Sequence, residues 1–140
     1  MSAEIILDNG LVLLRWTQPR MERNPRMTAI FKIVPKTMWQ AAEQSGVFKG
    51  APVDLADGFI HFSSAEQVRE TAAKHFAGQN DLLIVAFDDT SFGGTLKWEP
   101  SRGGALFPHL YSDLDPASAV WVRDLPLGDD GAHVFPELAV

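Results

Sequence analysis

The stretch "DGFIHFSSAEQ", residues 57–67, places a histidine inside an apolar run and two serines immediately after it. Side chains alternate between the two faces of a β-strand, so a strand over "FIHFS" directs Ile60 and Phe62 towards a core. The opposite face then holds Phe59, His61 and Ser63. This stretch therefore predicts a strand with one buried face and one mixed face that can contact a ligand.

Two interpretations of this mixed face remain open. His61 is either a core residue whose ring bonds a neighbouring carbonyl, or an imidazole presented to a ligand. Ser64 and Gln67 form an S-x-x-Q capping box, which predicts a helix that is capped by Ser64 and ends near Gly78. The first turn of a helix has free backbone N–H groups that favour anions, so Ser63 and Ser64 are candidate ligand-binding residues.

The length and composition limit the class of protein. The 140 residues, 46% hydrophobic and 21% charged, favour one soluble globular domain. A net charge of −6 argues against a nucleic-acid partner, because binding to a phosphate backbone needs clustered Lys and Arg. The chain has no cysteine, which excludes Cys-ligated metals and fits a cytoplasmic protein. No apolar run reaches the ~18 residues of a membrane span, so we expect no membrane partner.

The first 26 residues differ from the rest in charge. They hold four of the twelve basic residues, whereas the rest of the chain carries fifteen Asp and Glu against eight Lys and Arg. A strand-like run, "MTAIFKIV", starts directly afterwards. We interpret residues 1–26 as a disordered or appended segment, residues 27–127 as the core and residues 128–140 as a loose C-terminal tail. A basic docking arm is the alternative for the first segment.

Short elements alternate along the core. The runs "AIFKIV", "FIHFS", "TLKWE" and "AVWVRDLPL" are strand-like, and the apolar run "LLIVAFD" predicts a central strand buried on both faces. Thr37 can cap a helix over "MWQAAEQSG" that stops at Gly46, whereas "GAPVDLADG" is typical of turns. Two helices among the early strands, followed by strands without helices, indicate an α+β fold.

A second polar cluster lies in "LKWEPSRGGALFPHLYSDL", residues 96–114. Glu99 lies on one face of a predicted strand, and the loop "PSRGG" carries Arg102, whose guanidinium can bind a carboxylate or a phosphate. His109 and Tyr111 share a face if "FPHLY" is extended. The alternatives are a solvated loop charge for Arg102 and a buried, hydrogen-bonded ring for Tyr111. The histidines lack the helical spacing of zinc ligands, so we expect no metal site.

Three stretches, "DGFIHFSSAEQ", "HFAGQNDLLIVAFD" and "LKWEPSRGGALFPHLY", together resemble a family of small bacterial proteins, domain of unknown function 952. The resemblance covers about residues 28–127, and the family carries no established activity. Its grouping with ADP-ribosyltransferase-like domains implies a compact single α+β domain. In that fold two small, mainly antiparallel sheets and two main helices surround an NAD cleft.

The same resemblance implies roles for individual residues. His61 would hold a ribose hydroxyl, Glu99 would stabilise positive charge on the ribose carbon, and Tyr111 would stack on nicotinamide or adenine. These three are the candidate catalytic residues. Arg102 would bind a phosphate, and His109 is a further ligand-binding candidate. The order of Glu99 and Tyr111 departs from the usual pattern of the group, which favours nucleotide binding over transfer chemistry.

Two classes of function are therefore open. One is an NAD-binding or nucleotide-binding protein with ADP-ribosyl transfer, and the other is a non-catalytic domain that binds a small anion or another protein. In the first class the partner is a small-molecule ligand. The sequence specifies neither an acceptor nor an oligomeric state.

Overall fold

The structure, a computed structural model, describes residues 27–140. Its helices and strands follow in chain order: β1 (Ala29–Pro35), α1 (Lys36–Ser45), α2 (Pro52–Asp57), β2 (Ile60–His61), β3 (Ser63–Ser64), α3 (Val68–His75), β4 (Leu82–Asp88), β5 (Leu96–Pro100), β6 (Leu106–Leu110) and β7 (Trp121–Asp124). The later strands are joined by short 3₁₀ turns: Asp89–Thr95, Arg102–Gly104 and Pro116–Ser118. The interpretation of residues 1–26 lies outside the described residues. Within the described range, no helix is both long enough and apolar enough to cross a membrane.

Two antiparallel sheets organise these elements. The larger sheet has the strand order β3-β1-β4-β7 and the smaller sheet has the order β2-β6-β5. Each strand pairing in both sheets is antiparallel. The prediction of an α+β fold with two small antiparallel sheets is therefore confirmed. Both predicted helices are present as α1 and α3, and the short helix α2 replaces what the sequence indicated as turns.

The chain passes from one sheet to the other within the opening stretch. The single strand predicted over "FIHFS" is divided at Phe62, because β2 pairs with β6 whereas β3 pairs with β1. The backbone N–H of Phe62 still donates to the Pro108 carbonyl at 3.0 Å, which keeps the crossing residue against the smaller sheet. The predicted alternation holds nevertheless, since Ile60 and Phe62 are 2% and 3% exposed.

Strand β4 is buried on both faces, as its apolar run predicts. Leu83, Val85 and Phe87 pack in a cluster that includes side chains of the smaller sheet. The alternate side chains of β4 pack with α3 in a second cluster: Leu82, Ile84 and Ala86. Each fully buried aliphatic side chain stabilises the fold by about 1.5–3 kcal/mol, so β4 is the central element of the core.

The predicted N-terminal cap of α1 is wrong, although the predicted end of the helix is correct. Helix α1 begins at Lys36, one residue before Thr37, and Pro35 is its N-cap without a side-chain hydrogen bond. The reason is that β1 runs directly into the helix, so no loop residue is available to cap it. The helix ends at Gly46, whose φ of 86° is the left-handed conformation that glycine adopts easily.

The predicted cap of α3 is also wrong. Helix α3 begins at Val68 with Gln67 as its N-cap and without a side-chain cap bond. Ser64 lies in β3, paired with Ile30 of β1, so it is part of the sheet and not of the helix start. Half of the predicted capping box is nevertheless formed, because the Ser64 N–H donates to Gln67 Oε1 at 3.0 Å.

Residues 128–140 do not form a loose tail. Three of their side chains pack against the core cluster beside α3: Phe135, Leu138 and Val140. Two hydrogen bonds also tie the segment to β7, since Trp121 Nε1 donates to the Ala139 carbonyl and Arg123 Nη1 donates to the Glu137 carbonyl, both at 2.9 Å. The C-terminal residues therefore cover part of the larger sheet.

Candidate functional site

The smaller sheet brings the two histidines of the predicted site together. His61 on β2 lies opposite His109 on β6 in the antiparallel register, and their ring centroids are 5.6 Å apart. Phe59 stacks on His109 with a centroid distance of 4.0 Å and an interplanar angle of 29°. The same phenyl ring lies 4.7 Å from His61 and 5.3 Å from Tyr111. One ring cluster therefore contains Phe59 at its centre with His61, His109 and Tyr111 around it.

Glu99 binds two members of this cluster through one oxygen. Glu99 Oε1 accepts from the Tyr111 hydroxyl at 2.7 Å and lies 2.8 Å from His109 Nδ1. The hydrogen bonds from His109 and Tyr111 hold the pKa of Glu99 below its usual value, and the same carboxylate raises the pKa of Tyr111. An ionised carboxylate only accepts, so Nδ1 of His109 carries the proton. In a neutral ring, Nε2 is then free to act as an acceptor or base.

The buried carboxylate of Asp54, on α2, was not predicted from the sequence. The Asp54 side chain is 1% exposed and lies 2.6 Å from His61 Nδ1 and 3.0 Å from Lys32 Nζ. It also accepts from the backbone N–H groups of Ala51 and His61, at 2.8 Å and 3.1 Å. Burial opposes its ionisation, but these donors and the Lys32 charge outweigh burial and lower the pKa of Asp54 to about 2.

Lys32 is the second residue that sequence reasoning missed. It is 5% exposed within β1, and its ammonium group donates to the His61 carbonyl at 2.9 Å as well as to Asp54. Burial lowers the pKa of Lys32, and the Asp54 charge opposes that shift. One signal was available in the sequence: a lysine in the middle of the apolar strand "AIFKIV" needs a buried acid as its partner.

The second ring nitrogen of His61 also contacts a carboxylate. His61 Nε2 lies 2.9 Å from Asp57 Oδ2, and the side chains of His61 and Asp57 are 32% and 49% exposed. Asp57 is the last residue of α2, three residues after Asp54. One short helix therefore supplies both acids that hold the His61 ring.

A cavity of about 570 Å³ lies beside this histidine pair. Its walls are largely apolar, with the phenyl rings of Phe31, Phe62, Phe76 and Phe107 among them. The polar side chains in its lining are the two site histidines and six others: Lys32, Asp57, His61, Ser63, Thr71, His75, Ser101 and His109. Aromatic walls with a few converging polar groups are typical of a site for a small organic ligand.

The other predicted site residues lie at different distances from this cavity. Glu99 and Tyr111 are outside its lining and reach it through His109. Ser63 lines the cavity, but its hydroxyl is hydrogen-bonded to Thr71 Oγ1 at 2.8 Å. Ser64 is buried in β3 and is not part of the lining. The Arg102 side chain lies outside the described part of the structure.

The acids and histidines of this site do not converge on a common point. Asp54 and Asp57 contact opposite nitrogens of the His61 ring, so the ring separates the two carboxylates. Among residues 27–140, no group of three or more His, Cys, Asp or Glu has the arrangement of a metal site.

Comparison with known proteins places this fold in a family. The family described as a protein of unknown function, DUF952, matches residues 33–122. The crystal structure of protein CC0527 from Caulobacter crescentus is 50% identical and superposes with a TM-score of 0.74, covering 76% of this chain and 94% of that one. The solution NMR structure of CC0527 is 51% identical with a TM-score of 0.70, covering 76% and 91%. No curated protein matches the chain. The chain belongs to the DUF952 family, whose function is unknown.

Proposed function

We propose that the cavity beside His61 and His109 binds NAD or a related nucleotide. The observation that carries this proposal is the pair of histidines, 5.6 Å apart, that line one cavity while a carboxylate holds each ring. A cavity of about 570 Å³ is within the usual range for small-molecule sites. The aromatic walls suit a flat base, and the histidines suit ribose hydroxyls and phosphate oxygens.

A catalytic step can be written for the same residues. The nicotinamide–ribose bond breaks, nicotinamide leaves with the bonding electron pair, and positive charge develops on the ribose carbon. The ionised Glu99 carboxylate stabilises that charge. Water or an acceptor hydroxyl adds to the carbon through oxygen and transfers its proton to His109 Nε2. The two histidines and Arg102 bind ribose hydroxyls and phosphate oxygens, and the Tyr111 hydroxyl keeps the Glu99 carboxylate in place.

Binding without catalysis is the second candidate, and one observation favours it. Glu99 is separated from the cavity by His109, so its carboxylate acts on a bound ribose through one intervening ring. A domain of this kind would use the cavity for a small anion and carry out no reaction. Both candidates suit the cytoplasm, the location that we propose for this cysteine-free chain.

A thermal-shift panel with NAD, ADP-ribose, ATP and nicotinamide tests the proposal, with chromatographic detection of free nicotinamide alongside. We expect NAD or ADP-ribose to raise the melting temperature, because a ligand that binds only the folded state stabilises it. Release of nicotinamide by the wild type and not by Glu99→Gln would support transfer chemistry. Protection by NAD with no release supports binding alone, and no protection by any of the four contradicts the proposal.

A further inference from the structure

We propose that His61 Nε2 binds a phosphate group of the ligand. In this structure the Asp57 carboxylate is bound to that nitrogen, and a phosphorylated ligand displaces it. The inference deepens the proposed function, on which it rests for the identity of the complete ligand. It assigns the part of the cavity that binds phosphate and names a residue that competes with the ligand.

The charge of the His61 ring follows from its two carboxylate contacts. Both ring nitrogens lie within hydrogen-bond distance of carboxylate oxygens, Asp54 Oδ1 at 2.6 Å and Asp57 Oδ2 at 2.9 Å. An ionised carboxylate accepts hydrogen bonds and donates none, so each of these two contacts requires a proton on the ring nitrogen. His61 therefore carries two N–H groups and a positive charge in this arrangement. A phosphate oxygen is an equally suitable acceptor for the Nε2 proton.

The two carboxylates differ in their exposure and in their other partners. Asp54 is 1% exposed and is held by Lys32 and two backbone N–H groups in addition to His61. Asp57 is 49% exposed, and within the described residues its side chain forms one polar contact, the bond to His61. Ion pairs between exposed groups are weak, so Asp57 is the partner that a ligand can displace. Asp54 stays in place and keeps the ring oriented.

Displacement of Asp57 leaves positive charge beside the cavity. Lys32 and His61 line the cavity and are positive, and the buried Asp54 is negative. Asp57 also lines the cavity and neutralises the remaining positive charge. Once Asp57 has left Nε2, the group of three retains one net positive charge beside the cavity. That charge favours an anionic group such as a phosphate or diphosphate over a neutral ligand.

Titration with inorganic pyrophosphate at constant low ionic strength tests this inference, by calorimetry on the wild type, Asp57→Asn and Asp113→Asn. Asp113 is the matched control, because it is a 59% exposed carboxylate in an ion pair with Lys49 and lies outside the cavity lining. Asp57→Asn removes the competing charge and keeps the size of the side chain. It also removes a negative charge from a helix C-terminus, so the variant should fold.

We expect Asp57→Asn to bind pyrophosphate about three- to tenfold more tightly than the wild type, which corresponds to the loss of one exposed ion pair plus one repulsion. Asp113→Asn should match the wild type. The inference is overturned if Asp57→Asn binds pyrophosphate no more tightly than the wild type, or if neither of these two proteins binds it. Tighter pyrophosphate binding without protection by NAD leaves the inference standing and contradicts the proposed function. Protection by NAD without tighter pyrophosphate binding by Asp57→Asn supports the proposed function and contradicts the inference.

Discussion

The Lys32 ammonium lies 3.0 Å from Asp54 Oδ2, with the two side chains 6% and 1% exposed. This pair joins β1 of the larger sheet to α2, and through His61 it reaches β2 of the smaller sheet. A buried ion pair needs further hydrogen bonds to offset the loss of hydration, and both partners have them. The two sheets and α2 therefore meet at one polar network beside the cavity.

Replacing Asp54 should destabilise the fold strongly. Asp54→Asn leaves the Lys32 ammonium buried without a counter-charge, and we expect a loss of about 3–5 kcal/mol in the free energy of unfolding. Urea denaturation measures the loss, and a double-mutant cycle with Lys32→Met should give a coupling energy above about 1 kcal/mol. The same cycle on the exposed pair Lys49–Asp113 is the control and should give less than about 1 kcal/mol. Equal coupling in the two cycles would contradict the structural role of the buried pair.

The depressed pKa of Asp54 predicts a specific acid sensitivity. The folded-state pKa is about 2, below the unfolded value of about 3.9. A depressed pKa contributes stability that is fully present above the unfolded value and is lost as the pH falls towards the folded value. Between about pH 5 and pH 2 the wild type should lose about 2–3 kcal/mol through this group. Urea midpoints measured across that range should fall less steeply in Asp54→Asn, and parallel curves would show that Asp54 titrates normally.

The turn before α3 gives a test of the corrected helix start. Gln67 Oε1 accepts from the Ser64 N–H, and Gln67 Nε2 donates to the Leu106 carbonyl of β6 at 2.7 Å. Gln67→Ala removes both bonds and should cost about 1–2 kcal/mol in urea denaturation. Ser64→Ala should cost less, since the Ser64 hydroxyl does not cap the helix. A larger loss of stability for Ser64→Ala than for Gln67→Ala would show that Ser64 caps the helix, as the sequence predicted.

The fold class could be predicted from the sequence, and so could the placement of His61 in the candidate site, because short periodic runs report local burial. The alternation in "FIHFS" was sufficient to separate Ile60 and Phe62 from His61, and the run "LLIVAFD" was sufficient to identify β4. Asp54 was missed because its role depends on contacts that are distant in sequence, chiefly Lys32, which lies 22 residues earlier. The short helix that carries it has no apolar periodicity to reveal it.

Gly50 shows how closely the chain is fitted around that missed acid. A Cβ atom at Gly50 would lie 2.8 Å from Asp54 Cβ, and its φ of 127° is a conformation that favours glycine. No pattern in the sequence distinguishes Gly50 from the ordinary turn glycines near it, because the steric limit comes from a side chain four residues later. Glycine at position 50 is therefore what allows the backbone to pass this close to Asp54.

His61 and Tyr111 should respond differently to substitution, although both belong to the candidate site. His61→Ala removes the donor that lies 2.6 Å from the buried Asp54, and we expect a loss of about 1–3 kcal/mol because a buried carboxylate loses its shortest hydrogen bond. Tyr111 is 43% exposed, and among residues 27–140 its hydroxyl bonds to the accessible Glu99, so Tyr111→Phe should change stability by less than about 1 kcal/mol. Urea denaturation compares the two variants, and pyrophosphate titration should show a loss of binding for His61→Ala alone. Equal destabilisation by both variants would mean that the His61 ring does not support Asp54, and undiminished pyrophosphate binding by His61→Ala would remove that ring from the anion site.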